Sequence, residues 1–239
     1  MQYRHPNVSD AQYEVIDERR QSVDMPAILA KVYNWMAVGV LITGLVSMLA
    51  ASSPSVQQIV LGSRFVFFGL LVGEIGLVWY LSASIMKLEK STALNLFFLY
   101  SALNGLTMSF IFMIYARSTI ASAFIASALM FGGMAVYGHT TKKDLTSMGG
   151  FLISALWGLI AASLVNFLFR SSALDLILSY AGVFIFLGLT AYDSQKIKQI
   201  AYMHPELQER VAVLGALTLY LDFINLFLHL LRIMGGRRR

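Results

Sequence analysis

Seven stretches of this chain are each long and apolar enough to cross a lipid bilayer: roughly residues 28–50, 65–86, 93–116, 119–138, 150–169, 174–194 and 211–234. A helix needs about 20 predominantly apolar residues to traverse the hydrocarbon core. Backbone in contact with lipid must satisfy its own hydrogen bonds, which leaves helices or closed barrels. Runs of this length exceed a membrane strand and show no period-two alternation, so the barrel is excluded. The predicted fold is all-α: a polytopic membrane protein built as a seven-transmembrane-helix bundle. Composition agrees. Of 239 residues, 57% are hydrophobic and 13% charged, against about 25% charged in an ordinary soluble domain. A soluble core in a chain of this size could not hide that much apolar surface.

The connections between the runs are short, the longest being 51–64 and 194–210, and none has room for a separate domain. The organisation expected is therefore a polar, disordered cytoplasmic tail at 1–27 followed by one transmembrane domain at 28–235. The tail mixes charges, among them Arg4, Asp10, Glu14, Arg19 and Arg20, and has no apolar periodicity. The first apolar run reads as a signal anchor. Absence of cysteine excludes disulfides and thiolate chemistry. Gly69, Gly73 and Gly76 are expected to permit close helix contact in the second span.

Lysine and arginine orient the chain. With the amino terminus inside, the inner segments carry Arg4, Arg19, Arg20, Lys31, Lys87, Lys90, Lys142, Lys143, Lys196, Lys198 and Arg210. The outer loops carry only Arg64, Arg117 and Arg170. This bias predicts a cytoplasmic amino terminus. Seven spans then put the carboxyl terminus outside, although Arg232 and Arg237 to Arg239 lie there. The same distribution, short basic loops between apolar runs, points to membrane lipid as the partner of the basic charge and away from nucleic acid.

Ionisable residues inside membrane helices are costly and are functional candidates by default. Glu74 lies in the middle of the second run, Asp193 near the end of the sixth and Asp222 near the centre of the seventh. Asp222, Asn225 and His229 are spaced i, i+3 and i+7 and share one helix face. The plainer readings are a neutral carboxylic acid bonded to a neighbouring helix for Glu74, a solvated helix-end carboxylate for Asp193 and a packing residue for His229. No metalloprotease, serine-hydrolase or phosphate-loop motif is present, so the chain does not read as an enzyme and no cofactor is expected.

The segments Ala191-Tyr192-Asp193-Ser194-Gln195-Lys196 and Leu219-Tyr220-Leu221-Asp222-Phe223-Ile224-Asn225-Leu226-Phe227 resemble the Bax inhibitor-1 (transmembrane Bax inhibitor motif) family, especially its bacterial inner-membrane members. Leu99-Tyr100-Ser101-Ala102-Leu103-Asn104-Gly105-Leu106-Thr107 fits the same pattern, and the likeness covers roughly 25–235. The resemblance implies a seven-helix bundle with a pH-sensitive calcium leak. In it Asp193 and Asp222 form a pore carboxyl pair that senses protons and binds Ca2+ transiently as the transported ion. Glu74 matches an acidic residue of the family's second helix. The family's basic partner near the end of that helix has no clear match; Lys87 is close, at the boundary.

Two nearby carboxylates in a low dielectric cannot both ionise cheaply, so they share a proton and titrate as a pair. Proton loss then creates mutual repulsion and a hard oxygen site suited to Ca2+. A competing reading also follows from the resemblance: a modulator of a membrane-bound ATP-dependent protease in membrane protein quality control, with the 1–27 tail as its docking element. The expected location under either reading is the bacterial inner membrane.

Overall fold

The computed structural model describes residues 23–60 and 62–235. Within them lie seven helices long and apolar enough to cross a membrane, and no strand. They are α1 (Met25–Ser52), α3 (Arg64–Ser84), α4 (Lys90–Met108), α6 (Arg117–Thr140), α7 (Thr146–Phe169), α8 (Ser172–Met203) and α9 (Gln208–Met234). Two short helices, α2 (Pro54–Val60) and α5 (Ile111–Ile114), fill the connections after α1 and α4, and a 3-10 turn at Pro205–Leu207 leads into α9.

Local chemistry sets several boundaries. Asp24 accepts a hydrogen bond from the Ala27 amide and Pro26 occupies the first turn, which starts α1 at Met25, three residues before the predicted 28. The expected disorder of the 1–27 tail concerns mostly residues 1–22, which lie outside the described residues, as do Arg237 to Arg239. Ser63 and Ser171 cap α3 and α8 in the same way.

The largest departure from expectation is α8. The 194–210 connection, predicted as a loop, is helical as far as Met203. Residues 195–203 are too polar to join the apolar run, yet Ile197 and Ala201 are buried one turn apart. A helix continued by such an amphipathic face needs no apolar majority. Asp193 therefore lies about 15 Å inside α8 and is not a helix-end carboxylate.

The last helix is the axis of the bundle. In α9, 72% of the apolar window is buried, against 44% or less in every other span. It packs on α8, α1, α6 and α4, while α7 is held mainly by α8 and α3 by α4. Tyr220 marks the centre, fully buried, with its ring edge-on to Phe97 (5.4 Å) and Tyr100 (5.9 Å). Its hydroxyl lies 2.7 Å from Thr43 Oγ1, and Thr43 is 2.9 Å from the Ser101 carbonyl, which ties α9, α1 and α4 together through hydrogen bonds. At the end of α9 where it begins, Glu209 pairs with Lys31 of α1 and with Lys90 of α4, the latter at 2.7 Å.

The close contacts do not fall at the expected glycines. A Cβ placed at Gly69, Gly73 or Gly76 would meet nothing within 4 Å, and all three are exposed on α3. The intimate approaches are elsewhere: Gly105 against the α1 backbone at Thr43 (2.7 Å), Gly138 against the backbone of Ala191, and Gly149 beneath the Tyr192 ring. Spacing alone misled because lipid and a neighbouring helix accept glycine equally. Replacing Gly69, Gly73 and Gly76 together by Ala is expected to leave the thermal midpoint of the detergent-solubilised protein unchanged or raised, because each change removes a helix-propensity penalty of about 1 kcal/mol and meets no steric resistance. A drop of several degrees would show that this face of α3 is covered.

Candidate functional site

Two polar clusters interrupt the apolar interior, one on each side of α9. The first lies in a cleft of about 690 Å³ bounded by α7, α8 and α9. The α7 wall is apolar except for Ser163, from Ile153 through Leu156 and Leu159 to Phe167. The facing wall is a polar stripe of α9: Thr218, Asp222, Asn225, His229 and Arg232. These five recur every three or four residues and so fall on one helix face.

Asp193 enters the same cleft from α8, close enough that its carboxyl group acts electrostatically on that of Asp222. Because α8 and α9 run antiparallel, Asp193 stands opposite Asp222 and Phe186 opposite His229, whose rings stack at 5.7 Å. Asp222 is 5% exposed, and its Oδ2 has no hydrogen-bond partner among the described residues. Lys196, one turn beyond Asp193, acts on it electrostatically and holds its Nζ over the Tyr192 ring at 5.4 Å. Asn225 lines the cleft, and its side-chain nitrogen donates to the Leu221 carbonyl of its own helix (2.8 Å). His229 packs on Gly182, where a side chain would collide with the imidazole, and its Nδ1 is buried with no hydrogen-bond partner among the described residues.

The second cluster holds Glu74. This residue is 7% exposed and lies near Thr107 of α4, whose hydroxyl donates to the Asn104 carbonyl, and near Tyr100 and Tyr220. One of its oxygens, Oε1, has no hydrogen-bond partner among the described residues. It does not line the cleft that holds the aspartates. Lys87 is also apart: it is exposed in the turn after α3 and does not reach either cluster. Of the residues singled out from the sequence, the fold thus brings together Asp193, Asp222, Asn225 and His229 and separates Glu74 and Lys87 from them.

Sequence reasoning passed over Thr218, Lys196 and Arg232 in the cleft wall. The signal for Thr218 and Arg232 was available, since they continue the Asp222–Asn225–His229 face by one turn in each direction. Arg232 was read only as a topology charge. Lys196 and Arg232 stand toward opposite ends of the cleft, separated by about 20 Å along the helices, with the carboxyl pair between them.

Comparison with known proteins settles the ancestry. The family described as inhibitor of apoptosis-promoting Bax1 matches residues 25–239. The chain belongs to the Bax inhibitor-1 family. Similar proteins include the inner membrane protein YbhL of Escherichia coli K12, 50% identical over 214 residues that cover 88% of this chain and 92% of that one. An uncharacterized protein of Borreliella burgdorferi is 44% identical over 228 residues, 94% of this chain and 98% of its own. The Lactococcus lactis protein YrjE is 38% identical over 224 residues, 92% of this chain and 94% of its own. This chain is accordingly a polytopic, all-α membrane protein of the Bax inhibitor-1 family.

Proposed function

We propose that the protein is a pH-sensitive calcium leak of the inner membrane, gated by Asp193 and Asp222. The observation that carries this reading is the closeness of two carboxyl groups from adjacent helices inside a membrane-embedded cleft. A hydrogen bond between two carboxyls requires a proton on one of them. That shared proton bridges α8 to α9. Its loss leaves two anions in a medium of low dielectric, where repulsion favours separation of the helices. The same event produces a pair of hard oxygen ligands in the cleft that Thr218 and Asn225 also line. Ca2+ takes six to eight oxygens, so water completes most of the shell and the ion passes without being retained. The sign follows: rising pH removes the proton, opens the cleft and raises cation affinity, and acid closes it.

Glu74 does not belong to this unit, because α9 lies between its cluster and the cleft. Its neighbours are Thr107 and two tyrosines, which suits a carboxyl buried where α3 packs on α4.

The decisive measurement is calcium flux into liposomes that hold the purified protein. Flux is expected to increase as pH rises from mildly acidic to mildly alkaline, by at most about tenfold per pH unit for a single proton. Flux that is absent, or equal at all pH values, would refute the reading.

Orientation is part of the proposal. The lysine and arginine bias supports an amino terminus in the cytoplasm, and α9, continuous over 27 residues, is long enough to complete the seventh crossing. Reporter fusions within 142–144 are expected to read cytoplasm, and fusions at Arg239 the opposite compartment. Cytoplasmic signals from both would mean that α9 fails to cross.

A further inference from the structure

A second pocket, of about 410 Å³, lies at the end of the bundle where α6 stops and α8 runs on beyond the apolar core. Its wall carries Lys142 and Lys143 from the α6–α7 connection, Lys198 and Tyr202 from α8, and His139 from the last turn of α6. The one carboxylate in its wall among the described residues, Asp144, is already engaged: its Oδ1 accepts from the Thr146 amide (2.9 Å) and hydroxyl (2.6 Å). Those two donors hold the Asp144 carboxyl below the usual carboxylate range. Three lysines therefore face a single occupied anion.

This arrangement differs from a solvated basic loop in two ways. The loop backbone is pinned to α8. Gln195 accepts from the Leu145 amide through Oε1 and donates through Nε2 to the Lys143 carbonyl, both at 2.8 Å. Lys142 and Lys143 thus hang from a fixed scaffold, and Lys198 is steered into the same space by a weak bond to the His139 carbonyl at 3.4 Å. The second difference is that His139 Nδ1 is buried in the pocket wall with no hydrogen-bond partner among the described residues. A buried polar atom without a partner marks a place where a ligand or ordered water completes the bonding.

Position identifies the chemistry. The pocket is built on the residues of α8 that follow Asp193, at the level where the hydrocarbon core gives way to headgroups. Basic pockets between transmembrane helices at that level recognise lipid phosphates. We propose that this pocket binds the phosphate headgroup of an anionic phospholipid. Lys142, Lys143 and Lys198 supply the charge, and Tyr202 supplies a directional hydrogen bond. The assignment does not depend on calcium flux and stands or falls separately from it.

The test uses the full chain in phosphatidylcholine nanodiscs doped with a photoactivatable phosphatidylglycerol, with crosslinked peptides mapped by mass spectrometry. Crosslinks are expected to concentrate in 138–145 and 195–202. Unlabelled phosphatidylglycerol should compete them away, and glycerol 1-phosphate in solution should not. Exchanging Lys142, Lys143 and Lys198 together for Gln should weaken capture on the order of 100-fold, at roughly fivefold per lysine. The same three changed to Arg should retain it. A charge-matched set at the other end, Arg64→Gln, Arg117→Gln and Arg170→Gln, should leave it unaltered. Crosslinks spread evenly over all loops in the wild-type protein would overturn the proposal even where the Gln variant fails to fold, as would equal capture by the Gln variant. Displacement by glycerol 1-phosphate would overturn the lipid assignment in favour of a soluble phosphate ester.

Discussion

Asp193→Asn and Asp222→Asn should each flatten the pH dependence of calcium flux to within about twofold between acidic and alkaline conditions. Asparagine preserves the shape of the side chain but cannot lose a proton, so the remaining carboxyl has no partner with which to share one. The two residues act as one titrating unit, and changes within a unit do not add. The double variant should consequently resemble either single variant. Calcium affinity should fall in both, because an amide is a poorer ligand for a hard cation than a carboxylate. Lys196 is the internal control. It acts electrostatically on Asp193, so Lys196→Gln should move the pH midpoint upward, since loss of a nearby positive charge favours the protonated carboxyl. It should leave the amplitude of the response intact. An Asp193→Asn protein that keeps the full response would remove the carboxyl pair from the mechanism.

The second large effect is structural and reaches the same site through the backbone. Gly138 of α6 sits directly on α8: a Cβ there would collide with the Ala191 carbonyl oxygen and come within 2.7 Å of the Ala191 Cα. Neither obstacle is the end of a side chain, so no change of rotamer relieves the clash and the helices must move apart. Gly138→Val should destabilise the fold by about 3 kcal/mol, the upper end of ordinary overpacking. Since Ala191 is two residues from Asp193, separation of α6 from α8 should also disturb the carboxyl pair. A lowered thermal midpoint together with altered pH dependence of flux is the expected result. Gly133 lies on the same helix and faces open space, so Gly133→Val should change neither. Equal behaviour of the two variants would mean that the α6–α8 contact is not what positions Asp193.

These two predictions draw on different sources of information. Asp222 stood out as a candidate in the chain itself, because a carboxyl at the centre of an apolar run has no water to ionise into and must find a partner in the bundle. Its companions Asn225 and His229 were legible from helical spacing. The identity of the partner was not. Asp193 is 29 residues away in the chain, and only a matched family motif suggested it before the antiparallel packing of α8 on α9 placed the two groups together. Gly138 left no trace of its role, whereas Gly69, Gly73 and Gly76 formed a suggestive stripe that turned out to face outward.

The sequence by itself determined the seven spans, the absence of any sizeable loop domain and the polar face of α9, because transfer from water to hydrocarbon is a local property that each run of about 20 residues carries independently. Only the tertiary structure decided that α9 is the central helix, that Glu74 and the aspartates lie on opposite sides of it, that α8 continues as far as Met203 and that Gly138 is the contact glycine. The physical reason is that lipid tails are as apolar as a protein core, so within the membrane hydropathy does not distinguish a surface that meets lipid from one that meets another helix. That choice is made by shape, at particular places such as the Gly138–Ala191 crossing and the nest of Tyr220, Phe97 and Tyr100, and shape exists only once the helices are packed.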